Sequence, residues 1–150
     1  MTEVTISEFD GPYRFLSNFY NHQVTYDGFT YMNSEAAFQA QKTLDISLRR
    51  RFMYLQPNEA KRLGRSVKLL PNWDDIKDDI MLDIIRAKFS DAKLASKLAS
   101  TKDAVLVEGN WWHDNHFGNC YCERCSNIKG ENILGKCLMK VRQELRRKED

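Results

Sequence analysis

The clearest hydrophobic pattern of the chain lies between residues 73 and 89. Six apolar side chains recur there every three or four residues, which is the spacing of one face of an α-helix. They are Ile76, Ile80, Met81, Ile84, Ile85 and Phe89. The pattern predicts a helix with one buried face, capped at its start by Asn72.

A second pattern of this kind predicts a closing helix near the end of the chain. Asn132 stands directly before it and is a candidate cap for its first turn. The apolar positions of this helix are Leu134, Leu138, Val141 and Leu145.

Three shorter helices are predicted in the first half of the chain. The first begins near Ser34, and the second is capped by Asp45 and ends before Pro57. The third covers residues 59–63 and ends at Gly64, a residue suited to a left-handed cap.

Alternating polar and apolar positions indicate a small β element before these helices. Within residues 23–31, Asp27-Gly28 separates two β-prone runs, and this pair favours a tight hairpin turn. Residues 4–9 and 104–108 are candidates for further short strands. Because no linker or repeat divides the chain, we predict a single helix-dominated α+β domain over residues 1–150, with a small antiparallel β element.

Length and composition narrow the classes of protein to consider. The chain has 150 residues, of which 42% are hydrophobic, and its net charge is +2. A charge this small gives no broad field for tight nucleic-acid binding, and the basic runs at residues 49–51 and 146–148 are most simply solvated helix faces. No apolar run has the length of a membrane span or the pattern of a signal peptide, so a cytoplasmic location is expected.

Glu35 and Lys42 are the first candidates for chemistry. Glu35 falls in the first turn of its predicted helix, and Lys42 lies two turns later on roughly the same face. An acid and an amine that face one cleft could supply proton transfer and covalent chemistry. Solvated helix ends are the simpler interpretation of the same two residues.

The segment between residues 109 and 130 is irregular and rich in asparagine, cysteine and aromatic residues, and such segments are often functional. Aromatic rings beside the carboxylate of Asp114 suit a site that stacks a flat ring and stabilises a cation. The alternative is that Trp111 and Trp112 fill the core beneath a loop.

Three cysteines in this segment raise the possibility of a structural zinc ion. They form a Cys-x-Cys-x-x-Cys motif at Cys120, Cys122 and Cys125. A tetrahedral zinc site needs a fourth ligand. The candidates are His113, His116 and Cys137. Reduced cysteines without a metal are the alternative in a reducing compartment.

Arg65 is a candidate for binding a phosphate. It follows Gly64 at a predicted helix end, where its guanidinium could form charge-assisted hydrogen bonds. A basic side chain that compensates the dipole at a helix C-terminus is an equally good interpretation.

Short motifs from about residue 8 to residue 145 occur in an order and spacing that resemble the NADAR family, also called YbiA-like proteins. The motifs are Ser17-Asn18-Phe19, Ser34-Glu35, Phe38-Gln39-Ala40-Gln41-Lys42, Gly64-Arg65, Trp73, Arg86-Ala87-Lys88-Phe89, Leu106-Val107-Glu108, Asp114-x-x-Phe117-Gly118, Gly130-x-Asn132-x-Leu134-Gly135, Leu138-Met139 and Arg142. The resemblance implies a YbiA-like fold. It also implies an N-glycosidase, which cleaves the bond between ribose C1 and an amine nitrogen.

Two substrate classes follow from the resemblance. One is ADP-ribose attached to guanine bases, and the other is the phosphoribosylamino-pyrimidine intermediates of riboflavin synthesis, which would release ribose 5-phosphate. The expected partner is therefore a ribosylated base or an ADP-ribosylated nucleic acid. We expect no membrane partner, no obligate protein partner and no cofactor required for catalysis.

Matching the motifs also implies the site residues. The implied catalytic residues are Glu35, Lys42 and Asp114. The implied substrate-binding residues are Asn18, Phe19, Arg65, Trp73, Lys88, Glu108, Phe117, Gly118 and Asn132. The two carboxylates would stabilise positive charge on the sugar and handle the protons, or Lys42 would form a Schiff base, with Lys88 as the fallback nucleophile.

The chain departs from the family pattern at two places. Ala36-Ala37 stands where an aromatic residue is frequent, and Phe117 stands where tryptophan is common. Two other function classes stay open. One is a module that binds ADP-ribose or a nucleotide without cleaving it, and the other is a zinc-stabilised interaction protein.

Overall fold

The structure, a computed structural model, describes residues 3–149. Within this range the backbone forms six α-helices, two short 3₁₀ helices and three two-stranded sheets. The helices are α1 (Ser34–Ala40), α2 (Ile46–Phe52), α3 (Pro57–Ser66), α4 (Trp73–Lys88), α5 (Ala92–Ala99) and α6 (Ile133–Glu149). The strands are β1 (Thr5–Ile6), β2 (Asn21–Tyr26), β3 (Phe29–Asn33), β4 (Val105–Leu106), β5 (Gly109–Asn110) and β6 (Asn119–Cys120). The 3₁₀ helices are Gly11–Leu16 and Glu123–Cys125.

The chain folds as two units. One is Asn18–Asp91, which we call the central unit. The other, which we call the flanking unit, combines the described residues before Asn18 with those from Ala92 onward.

The central unit begins with the predicted hairpin. Strands β2 and β3 pair in antiparallel register, with Val24 opposite Tyr31. Asp27 and Gly28 both have positive φ angles, 49° and 86°, as a two-residue type I′ turn requires. The hairpin prediction is therefore confirmed.

Helix α1 follows β3 directly. The side chain of Asn33 accepts a hydrogen bond from the Ala36 amide at 2.8 Å and so caps the helix. Every residue of α1 is buried, and several of its positions carry small side chains. Asp45 caps α2 through the Leu48 amide at 3.3 Å, as the sequence predicted.

Two predictions about helix ends are wrong. Helix α3 continues through Gly64 to Ser66, so this glycine is not a left-handed cap. Because Gly64 has no side chain, it leaves room for the side chain of Gln39. Asn72 makes no side-chain hydrogen bond to α4, because its backbone (φ −101°, ψ 17°) lacks the extended conformation of a capping residue.

The flanking unit is held together by two short parallel sheets and by α5 and α6. Strand β1 pairs with β4, and β5 pairs with β6. Each strand has only two residues, so the runs predicted at residues 4–9 and 104–108 are shorter than expected. The core side chains of these helices and of β4 are Leu94, Leu98, Leu106, Leu134, Leu138 and Val141.

The helix-dominated α+β fold is confirmed, with two parallel strand pairs in addition to the predicted antiparallel one. No helix within residues 3–149 is both long enough and apolar enough to cross a membrane. The extension of one domain over residues 1–150 stays a prediction.

Candidate functional site

Glu35, the predicted catalytic carboxylate, is buried at the start of α1. It is 8% exposed, and its backbone amide donates to the Asn18 carbonyl at 3.2 Å. Ser34 Oγ donates to Asn18 Oδ1 at 2.9 Å. Asn18 therefore anchors the first turn of α1, and its predicted contact with substrate stays a prediction. Because a buried carboxylate is costly without compensating groups, Glu35 depends on polar partners nearby.

Gln39 is one of these partners. It lies four residues after Glu35 on the same face of α1, and its Nε2 donates to Glu35 Oε1 at 3.1 Å. Its own Oε1 is buried and accepts no hydrogen bond within the described part of the chain. A Cβ atom at Gly64 would lie 1.9 Å from this Oε1, so α3 needs glycine here to let Gln39 reach Glu35.

Lys42 lies in the turn after α1, because the helix ends at Ala40 rather than continuing to the lysine. Its Nζ donates to the Gly64 carbonyl at 3.4 Å. Burial lowers the pKa of Lys42 below its usual value, and the positive charge of Arg65 adds to this effect, while the Glu35 carboxylate opposes it. The structure therefore brings Glu35 and Arg65 each within electrostatic reach of Lys42.

Two predicted substrate-binding residues of this unit, Trp73 and Phe19, have protein neighbours. Trp73 is 5% exposed, and its ring lies 5.3 Å from the Phe38 ring, between centroids. Phe19 has the Lys61 ammonium 5.8 Å from its ring centroid. Trp73 thus packs the start of α4 against α1, and a contact with substrate stays a prediction for both residues.

Lys88 is fully buried at the end of α4. Burial lowers its pKa to about 7. Its Nζ lies 5.8 Å from the Tyr20 ring centroid and 5.4 Å from that of Phe89, within the range of cation–π attraction. An open groove beside it is lined by residues that include His22, Thr25, Ser90 and Asp91.

Asp114, the second predicted carboxylate, belongs to the flanking unit and makes hydrogen bonds within its own loop. Its Oδ1 accepts hydrogen bonds from the amides of His116 at 3.0 Å and Phe117 at 2.9 Å. The Asn110 side chain donates to the Asp114 carbonyl at 2.8 Å. The pairing of Asp114 with Glu35, which lies in the central unit, stays a prediction.

The same unit contains a close contact between backbone segments, which involves Glu108, Gly118 and Asn132. Asn132 Oδ1 accepts from the Glu108 amide, and Asn132 Nδ2 donates to the Leu106 carbonyl, both at 2.9 Å. A Cβ atom at Gly118 would lie 2.2 Å from the Glu108 carbonyl oxygen. The Asn132 side chain therefore bonds to β4 and to Glu108, and its predicted cap of α6 and contact with substrate stay predictions.

The three cysteines of the motif gather with one histidine. His113, Cys120, Cys122 and Cys125 place their ligand atoms within 4.8 Å of one another, as a metal site requires. Of the three candidates for the fourth ligand, His113 occupies the cluster. His116 instead pairs with Glu131 at 2.5 Å, and Cys137 is buried in α6.

The two tryptophans of this loop do not fill the core. Trp111 is 63% exposed and Trp112 is 54% exposed, so that alternative is wrong. The Trp111 ring lies 6.5 Å from the Tyr121 ring, between centroids. The protein therefore presents these aromatic side chains at its surface.

Comparison with known proteins identifies the family. Residues 6–146 match the NADAR domain. The chain belongs to the NADAR family. It is 37% identical over 137 residues to the N-glycosidase YbiA of Escherichia coli, covering 86% of this chain and 79% of that protein. The NMR structure of the same E. coli protein matches with a TM-score of 0.82 at 35% identity, covering 99% of this chain and 89% of that one.

A larger relative gives a second comparison for this NADAR protein. It is 33% identical over 144 residues to a riboflavin biosynthesis protein of Vibrio vulnificus, covering 91% of this chain and 36% of that protein. The family predicted from the motifs is confirmed, and so is the YbiA-like fold. At the level of the family, the expected class of enzyme is confirmed as well.

The sequence predicted no role in the site for Gln39, and it predicted Gly64 only as a helix cap. The spacing of four residues between Glu35 and Gln39 was the available signal, because such pairs face each other on a helix. No signal along the chain indicated that Gly64 lies against Gln39, since the two residues are 25 positions apart and meet only through the packing of α1 on α3.

Proposed function

We propose that this chain is an N-glycosidase that hydrolyses the bond between ribose C1 and the nitrogen of a base or amine. The observation that carries the proposal is the buried Glu35 carboxylate, to which Gln39 donates a hydrogen bond at 3.1 Å and which lies within electrostatic reach of the Lys42 amine. Membership of the NADAR family, whose relatives include N-glycosidases, supports the same reaction class.

In the direct route, Glu35 acts on the charge that develops at the sugar. When the C1–N bond breaks, its electron pair goes to the leaving nitrogen and positive charge builds up on the ribose ring. A carboxylate in a water-poor setting stabilises this charge, or takes a proton from the water that attacks C1. The water oxygen then bonds to C1, and the leaving nitrogen ends with one additional proton.

In the covalent route, Lys42 attacks C1 of the opened sugar. Its nitrogen forms a Schiff base as the base departs, and water then releases the sugar as an aldehyde. This route needs a neutral amine, and the lowered pKa of Lys42 increases the neutral fraction near neutral pH. Gln39 Oε1, a buried acceptor with no partner within residues 3–149, is available to a hydroxyl or amino group of the substrate in either route.

Two substrate classes share the required anomeric carbon. The first is ADP-ribose on a guanine base, free or within a nucleic acid. The second is a phosphoribosylamino-pyrimidine, a class favoured by the similarity to a riboflavin biosynthesis protein. Arg65 is exposed in the last turn of α3, close enough to Lys42 to affect its pKa, and is our candidate for the phosphate of either substrate.

We propose a bond cleavage in which the carboxylate and amine of the central unit carry the chemistry. The group of four potential metal ligands in the flanking unit, within residues 3–149, would close a tetrahedral coordination sphere if it bound an ion and would leave no position for water or substrate.

The decisive experiment incubates the purified chain with both substrate classes and follows released ADP-ribose or ribose 5-phosphate by mass spectrometry. Borohydride added during turnover would trap a Schiff base on Lys42, and Lys68→Met serves as a control at an exposed lysine. Trapping in the parent chain that disappears in Lys42→Arg supports the covalent route. A full rate in Lys42→Arg without any adduct leaves only the direct route.

A binding module without catalytic activity is the main competing function. It would bind ADP-ribose with measurable affinity and release no product from either substrate class. That pair of results would overturn the proposed activity.

A further inference from the structure

Four potential metal ligands converge in the irregular segment of the flanking unit, at His113, Cys120, Cys122 and Cys125. His113 Nδ1 lies 3.3 Å from Cys122 Sγ, 3.4 Å from Cys125 Sγ and 3.9 Å from Cys120 Sγ. In a tetrahedral zinc site the edge between a ligating nitrogen and a ligating sulfur measures about 3.6 Å, given the usual bond lengths. The imidazole therefore already stands at the distances of a fourth ligand.

We propose that these four side chains bind one zinc ion in a closed, purely structural site. Thiolate and imidazole donors in a tetrahedral arrangement are the set that zinc prefers, whereas magnesium and calcium require oxygen ligands. All three cysteines of the set are free thiols rather than disulfides, so their sulfur atoms are available.

The surroundings of the four ligands fit such a site. The Cys122 amide points at Cys120 Sγ at 3.5 Å, and Asn115 Oδ1 accepts from the Cys120 amide at 2.9 Å. The Asn115 side chain also hydrogen-bonds to the Cys125 sulfur. The Cys122 amide and the Asn115 side chain are donors to sulfur, and such donors orient thiolate ligands and spread their negative charge, as partners outside the ligand set do in known metal sites.

The backbone of His113 carries a strain that the ion would offset. Its φ is 71°, in the left-handed region that residues with a side chain seldom adopt. This conformation brings its ring to the cysteines from a loop that has no regular secondary structure of its own between β5 and β6. The bound ion would therefore link residue 113 to residues 120–125.

The segment between His113 and Cys120 includes Asp114 and Phe117. The carbonyls of residues 115–118 accept backbone hydrogen bonds from the amides of residues 131–134. The Asp114 carboxylate and the side chains of Asn110 and Asn115 add further hydrogen bonds. A metal ion would add a direct link between residue 113 and residues 120–125, because metal binding to a preformed site stabilises the folded state.

The test is to measure metal content in the full chain purified under reducing conditions without chelators. We expect close to one zinc per chain, and we expect cobalt, loaded in its place, to show the visible bands of a tetrahedral thiolate site. Removing the metal with a chelator is expected to lower the melting temperature by about 5–10 °C. Added zinc should restore it.

Substitutions of the proposed ligands test where the zinc ion binds. Cys122→Ser and His113→Gln are expected to lose most of the bound zinc, while the matched controls Cys137→Ala and His116→Gln should keep it. If Cys122→Ser does not fold, cobalt titration of the metal-free parent chain still reports the number of thiolates bound.

Absence of bound metal after reconstitution with zinc and reductant would overturn the proposal. Full occupancy by iron or copper, or retention of zinc by both ligand variants, would overturn it as well. Metal content and melting temperature are measured without substrate, so the outcome does not depend on whether the chain cleaves N-glycosyl bonds.

Discussion

The two polar clusters of this protein are built in opposite ways. The cluster around Glu35 stands on a helix in which every residue is buried, and packing against α3 fixes its geometry. The cluster around His113 stands on a loop and the short elements that follow it, where side chains bond to the backbone and to one another. Cys120 and Cys125 are buried, whereas His113 is exposed. The first cluster depends on the packing of one helix on another, and the second depends on hydrogen bonds within and around a loop.

This difference indicates what each cluster is suited to do. A carboxylate held in a water-poor, preorganised setting suits the stabilisation of developing charge. Soft ligands on a loop suit the binding of an ion that links segments without long helices or strands. Substitutions in the first cluster should therefore affect turnover more than stability, and the reverse should hold for the ligands of the second.

Glu35→Gln should produce the largest effect. The amide keeps the shape of the side chain but cannot carry charge or take a proton, so we expect turnover to fall roughly 10³-fold while the fold and the binding of ADP-ribose are retained. Product release and calorimetric binding measure the two quantities. Glu3→Gln, at an exposed carboxylate, is the control, and equal turnover in both variants would remove Glu35 from the reaction.

Asp114 can be tested for two roles at once. Asp114→Ala removes the acceptor for the His116 and Phe117 amides, and we expect turnover to fall about 10–100-fold if this loop contributes to the reaction. Asp114→Asn keeps an acceptor oxygen without the charge. Recovery of the rate in Asp114→Asn assigns a structural role, while equal loss in both variants assigns a role to the charge.

Lys88 should make the stability of the protein depend on pH. Its pKa is about 7 when folded and about 10.5 when unfolded, so between these values the unfolded chain binds more protons. The free energy of unfolding should therefore rise with pH in this window, by about 1.4 kcal/mol per pH unit. Below pH 7 both states carry the proton, and the cost of burying the charge is present in full.

Urea unfolding of the parent chain and of Lys88→Met at pH 7, 8 and 9 measures this contribution. The difference in stability should shift in favour of the parent chain as pH rises, whereas Lys68→Met, at an exposed lysine, should show no such trend. Parallel pH profiles for the parent chain and Lys88→Met would contradict the assignment.

Gly64→Ala should have the smallest effect of these substitutions. Whether it lowers or raises the stability of the protein depends on Gln39. The new Cβ would meet the end of the Gln39 side chain, so we expect a loss of about 1 kcal/mol in the free energy of unfolding. In a Gln39→Ala background the clash is removed, and the same change should stabilise the protein because alanine favours a helix over glycine. Thermal unfolding of the four chains gives the coupling, and additive effects would show that Gly64 and Gln39 do not constrain each other.

The elements with strong local signals were predictable from the sequence. The stripe of α4, the Asp27-Gly28 turn and the Asp45 cap each depend on side chains a few positions apart, and all three are confirmed. Local motifs also identified the family and placed Glu35 in the first turn of α1.

Contacts between distant segments required the tertiary structure. Two-residue strands leave no periodicity to detect, so the parallel pairs β1–β4 and β5–β6 were not predicted. Gly64 resembled a helix end because glycine often terminates helices, yet here it leaves space for Gln39. The sequence offered three candidates for the fourth metal ligand, and only the folded loop selected His113.

The sequence by itself determined the local chemistry, namely which residues can cap, turn, ionise or bind a metal, because these properties belong to short stretches of chain. Tertiary structure decided which of these residues meet, and how deeply Glu35, Lys42 and Lys88 are buried. Burial and proximity depend on the packing of elements far apart in sequence, and those quantities set the pKa of an amine and the partners of a carboxylate.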